Sequence, residues 1–157
     1  MGFLLWLETN AFTGWVLTTG WVYPWTISFH SIGMGFLVGV IYMLSLRVLG
    51  FGRFPVAGLE WFLIIVRIAV TVSLATGILL FMLDADRFFF SPTFRVKLLM
   101  IVLGGISAWI LTHMVFRDGV GVLDRNERAL APKLVAGVTI VCWTGAIVAG
   151  RLTAYLP

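Results

Sequence analysis

Charge is what this sequence has least of. Asp, Glu, Lys and Arg make up 11% of its 157 residues, where a soluble domain carries about 25%. Hydrophobic residues make up 61%, and the mean hydropathy is +1.05. Such a chain cannot cover a water-facing surface, so lipid must be its solvent. Cysteine is nearly missing too. Cys142 stands alone in an apolar run, which excludes a disulfide framework and a Cys-based zinc site; it reads as a small buried apolar residue. Catalytic motifs are also missing: no nucleophile–base pattern, phosphate loop, zinc signature or heme c attachment motif. A non-catalytic membrane subunit, or one that carries electrons, is therefore favoured over an enzyme. The net charge of +4 is no nucleic-acid signal, because the basic residues are scattered and fall mostly at the ends of apolar runs.

Long uncharged runs are what remains. Pro24 to Leu49 carries no Asp, Glu, Lys or Arg before Arg47, enough to cross a bilayer core at ~20 residues. Three more runs follow. The expected architecture is one all-α domain over 1–157, a four-helix membrane bundle with spans at about 24–48, 57–83, 92–116 and 132–156. Residues 2–20 are apolar but broken by Glu8, Thr9, Asn10 and Gly14. They read as an interfacial amphipathic helix or helix pair rather than a signal peptide, which would need a basic start and a cleavage site. Trp6, Trp15, Trp21, Tyr23 and Trp25 form an aromatic belt at one membrane face. Pro24, Pro92 and Pro132 suit first turns, and FFFSP at 88–92 reads as an interfacial turn.

Small residues recur at helical spacing. Gly35 and Gly39 lie with Ser31 on span 1. Ser73 and Gly77 mark a face of span 2. Gly104, Gly105 and Ala108 do so on span 3, and Gly137, Gly145 and Gly150 on span 4. Each stripe allows another helix to approach closely. Glu60 and Arg67, two turns apart, share a face of span 2, where Arg67 should be paired or buried in protein.

Four spans place both termini on one side. The opposite side holds Arg47, Arg53, Arg117, Arg125, Arg128 and Lys133; the terminal side holds Arg87, Arg95, Lys97 and Arg151. The surplus of basic residues puts both termini outside, in the periplasm of a bacterial inner membrane.

Depth sorts the ionisable groups. His30 lies ~9 Å below Pro24, whereas His113 lies ~31 Å past Pro92, near the other face. The two cannot readily sandwich one heme, and His113 reads as an interfacial residue beside Arg117. At the level of His30, the other spans offer Lys97, Met100 and Arg151, and Met34 is one turn below it. These five residues are expected to line one pocket. Three uses fit them. His30 is an axial ligand for heme b, with Met34 or Met100 as a second ligand and Lys97 and Arg151 on the propionates. Alternatively, His30 and Met34 bind copper, or the cations hold an anionic lipid or quinone with His30 as proton carrier. The plainer arrangement has Lys97 and Arg151 reaching toward head groups and pairing with Asp84 and Asp86.

Three stretches, YPWTISFHSIGMGFLVGVIYMLSLRVLG, ATGILLFMLDADRFFFSPTFRVKLLMIVL and AGRLTAYL, carry a resemblance across nearly the whole chain. They resemble a family of small four-span bacterial inner-membrane proteins known as a domain of unknown function. The positions that carry it are His30, Gly39, Arg47, Gly77, Pro92, Phe94, Lys97, Gly150 and Arg151. The architecture is more distantly similar to copper-resistance membrane proteins and to cytochrome b-like membrane anchors. That resemblance implies redox or copper work. The expectation is a membrane subunit for electron transfer that holds heme b through His30 near the periplasmic face and anchors a periplasmic redox protein. The alternatives are a copper-handling or small-solute membrane protein, or a cofactor-free accessory subunit of a larger membrane complex.

Overall fold

The computed structural model describes residues 2–52, 59–117, 130–153 and 155. Arg53, the turn at 53–58 and the polar loop at 118–129 lie outside the described residues, as do the side chains of Leu59, Glu60 and Arg117. Every regular element among the described residues is a helix: α1 (Gly2–Thr9), α2 (Ala11–Thr18), α3 (Val22–Leu49), α4 (Leu59–Met82), α5 (Ala85–Phe90), α6 (Pro92–Arg117) and α7 (Leu130–Leu152). Four of them, α3, α4, α6 and α7, are long and apolar enough to cross a membrane. The protein is a helical membrane bundle, with span boundaries within a few residues of those the apolar runs imply.

Local chemistry fixes the ends. Asn10 caps α2 by accepting from the Thr13 N–H at 3.0 Å, and the Thr13 hydroxyl donates back to the Leu7 carbonyl at 2.8 Å. This elbow divides the N-terminal segment into two short helices. α3 ends at Gly50, whose φ of +94° suits a residue without a Cβ. The Phe51 N–H then closes onto the Leu46 carbonyl at 2.9 Å, the six-to-one closure that commonly ends helices. The segment expected to be an interfacial turn contains α5. Its entry is held across the chain, because the Glu8 carboxylate accepts from the Asp86 N–H at 2.8 Å.

The bundle is not closed all round. α3 packs against α4 and α7, and α7 packs against α6, while α4 and α6 scarcely touch. The order is therefore α4–α3–α7–α6, with a gap between the two outer helices. Buried residues come from all four and gather around the two inner helices, α3 and α7. Leu44, Val48, Leu111, Val115 and Ala136 form one cluster. Leu37, Val38, Ile41, Ala69 and Trp143 form another.

Glycine decides how close these helices come. On α3 the close approach falls at Gly33, where a Cβ would lie 2.6 Å from the Ser73 Oγ. Gly35 and Gly39, the expected stripe, have nothing within 4 Å of such an atom, so the true contact face is turned away from them. Between α6 and α7, a Cβ on Gly104 would meet the Trp143 Nε1 at 3.1 Å. That indole donates to the Gly104 carbonyl at 3.2 Å. Tyr42 ties α3 to α7 through the Thr144 hydroxyl at 2.6 Å.

Candidate functional site

The gap between α4 and α6 is a cleft floored by α3 and α7. Its half nearer the termini is a cavity of about 510 Å³, lined among others by His30, Met34, Lys97, Ser73, Gly77 and Phe94. Its walls are otherwise apolar. Burying a polar group in such surroundings is costly unless it is hydrogen-bonded.

His30 meets that requirement with one side of its ring. It lies eight residues into α3, about 12 Å below the start of that helix. Nδ1 is 3.1 Å from the Ser73 carbonyl oxygen and 3.0 Å from the Thr76 Oγ1. A carbonyl can only accept, so Nδ1 must carry the proton. The Thr76 hydroxyl spends its own proton on the Val72 carbonyl at 2.6 Å and so also accepts from His30. Both partners select one neutral tautomer, which leaves Nε2 with its lone pair. Nε2 has no hydrogen-bond partner among the described residues. Gly77 makes room for the ring, since a Cβ there would lie 3.2 Å from His30 Cε1.

Lys97 crosses from α6 toward the same cavity. Its stem passes over Gly150 of α7, where a Cβ would lie 3.4 Å from Lys97 Cε. The ammonium sits 5.6 Å from the centre of the Phe94 ring, within cation–π range. No described carboxylate pairs with it. Asp84 pairs instead with Arg87 at 3.6 Å on the exposed surface, and Asp86 is engaged through its backbone.

Of the five residues expected in one pocket, His30, Met34 and Lys97 share the cavity. Met100 does not line it. Its Sδ lies 3.3 Å from where a Gly145 Cβ would be, between α6 and α7. Arg151 is exposed at the end of α7 and does not line the cavity either. Both are at the right depth and on the wrong side of their helices. The residues that seat the ring, Ser73, Thr76 and Gly77, were not among the five. Ser73 and Gly77 had shown only as a small-residue face of span 2.

The loop-side half of the cleft is a second cavity, of about 620 Å³. Arg67 and His113 line it together with Trp109, Thr112 and Phe116. Leu37, Val70, Gly105 and Trp143 line both cavities, so the two are joined along one trough. Arg67 is thus exposed on a cleft wall rather than enclosed by protein. His113 faces the same lobe, with its ring 5.7 Å from that of Trp109. No group of three or more His, Cys, Asp or Glu that would suit a metal ion occurs among the described residues. Compared with protein-family models, with curated proteins and with solved structures, the chain matches none.

Proposed function

We propose that the terminal half of the cleft binds heme b through His30, and that the protein is an electron-transfer subunit of a bacterial inner membrane. One observation carries this reading: the imidazole is anchored through Nδ1–H to a backbone carbonyl and leaves Nε2 free in an apolar cavity. Metal-ligating histidines almost always donate their other ring N–H to a carbonyl, carboxylate or water, which fixes the ring and raises its basicity. Bound there, heme would supply a one-electron couple whose potential depends on its axial ligands and on burial.

The chain's own residues fit that group in part. His30 offers one ligand nitrogen, held in register by Ser73 and Thr76. Met34, one turn deeper on the same face of the same helix, would line the site beside His30 and supply a soft apolar contact. Lys97 offers a cation for a propionate. The splaying of α4 from α6 leaves a slot open toward the lipid, and the apolar walls exclude water. With both termini in the periplasm, His30 lies near the face where α1, α2 and their exposed tryptophans would meet a periplasmic redox partner. Copper is the weaker alternative, because His30 and Met34 make only two donors and Met100 faces elsewhere. A quinone is favoured by a different observation, the sideways opening of the cleft. Its ring oxygen would accept from Lys97, and its hydroxyl form would donate to Nε2.

The absorption spectrum of protein purified in detergent separates these readings. Heme gives a Soret band that His30→Ala removes. Copper gives a nearly colourless protein with metal by elemental analysis. A quinone gives extractable quinone and neither of the other signals.

A further inference from the structure

We infer that the loop-side lobe of the cleft is a separate binding site for an anionic amphiphile, with its acidic head group on Arg67 and His113 and its acyl chain in the trough. Arg67 is eight residues from the start of α4, about 12 Å inside that end of the helix. A cation at such depth needs an anion or water. The carboxylates whose side chains are described, those of Glu8, Asp84 and Asp86, all lie at the opposite face. No ion pair to Arg67 occurs among the described residues. The lobe of about 620 Å³ is apolar apart from Arg67, Thr112 and His113, and the Thr112 hydroxyl is already donated to the carbonyls of its own helix. His113 is four residues from the loop-side end of α6, about 6 Å from that end. It is therefore nearer the membrane surface than Arg67, and its ring N–H adds a neutral donor above the guanidinium.

Charge selects the occupant. A neutral ring or an apolar partner helix would offer the guanidinium no counter-charge. A phosphate or carboxylate head satisfies it with charge-assisted bonds. The chain of such a molecule then runs past Val70 and Gly105 toward Trp143. Gly105 makes that passage, since nothing lies within 4 Å of where its Cβ would be. The site needs no heme and stands or falls independently of His30.

Native mass spectrometry of the full chain in neutral detergent tests this. The probes are dioleoyl phosphatidylglycerol against dioleoyl phosphatidylcholine, and oleate against methyl oleate. The anionic member of at least one pair should bind tighter by roughly five- to tenfold. Preference in the first pair identifies a phospholipid head, and preference in the second a free fatty acid. Arg67→Gln should abolish the preference, and Arg87→Gln, on the exposed surface at the opposite face and outside both cavities, should leave it intact. Gly105→Phe, whose Cβ meets nothing within 4 Å and whose ring would enter the trough, should weaken anionic binding in a folded protein even where Arg67→Gln does not accumulate. Equal binding of charged and neutral probes overturns the inference. So does a preference that survives Arg67→Gln, or unchanged anionic binding in Gly105→Phe.

Discussion

Gly104 and Gly105 are neighbours on α6, yet they face opposite situations. A Cβ on Gly104 would press on Trp143 and Cys142 at 3.1 and 3.3 Å, whereas a Cβ on Gly105 would meet nothing within 4 Å. The first glycine closes the α6–α7 interface. The second leaves the cleft between α4 and α6 open. One helix thus carries a tight seam and an unfilled wall about 100° apart, and the contrast separates the residues that hold the bundle together from those that leave room for a ligand.

The sharpest way to break that contrast is to enlarge each glycine in turn. Gly104→Leu should destabilise the detergent-solubilised protein by about 3 kcal/mol, because the Trp143 indole and Cys142 Cβ that it would meet are buried and the indole is held by its bond to the Gly104 carbonyl. Gly105→Leu should leave the thermal transition within a few degrees of the parent, and a large loss of stability would show that the cleft is closed. Trp143 comes next. Trp143→Ala should cost about 3–5 kcal/mol, and Trp143→Phe, which loses mainly the bond to the Gly104 carbonyl, about 1 kcal/mol. On the other side of the bundle, Gly33→Ala should cost about 1–3 kcal/mol against the Ser73 Oγ. That hydroxyl is buried and has no hydrogen-bond partner among the described residues, so Ser73→Ala alone should be nearly neutral. The double variant should recover most of the loss, giving a coupling energy that a thermal-unfolding cycle can read. The smallest effect belongs to the outer surface. Breaking the exposed Asp84–Arg87 pair with Asp84→Asn should change stability by less than about 1 kcal/mol.

The spans were legible in the sequence because an uncharged run long enough to cross a bilayer has few other uses. Depth was legible for the same reason: counting residues from Pro24 and Pro92 places His30 and Lys97 at one level. Direction around the helix axis was not. Met100 and Arg151 share that level but face α7's packing surface and the exterior, since which side of a helix meets the interior depends on its partners. Gly33 rather than Gly35 and Gly39 carries the α3–α4 contact for the same reason. The missing contact between α4 and α6 left no periodic signal at all. His113 shows the converse case. It read as an interfacial residue because it lies near the end of its span, yet it lines the lobe that Arg67 enters. Arg67 was recognisable as a charge at depth, and only the fold reveals which wall it occupies. For α5, the run of three phenylalanines before Ser91 and Pro92 masked a six-residue helix whose N-terminus depends on Glu8, far away in sequence.

The most direct test of the account is the visible spectrum of His30→Ala beside the parent and Met100→Ala, all expressed with heme available and purified in the same detergent. The account predicts a Soret band in the parent and in Met100→Ala, and its loss in a His30→Ala protein that remains folded. A parent without that band, or a band that persists after His30→Ala, would contradict it.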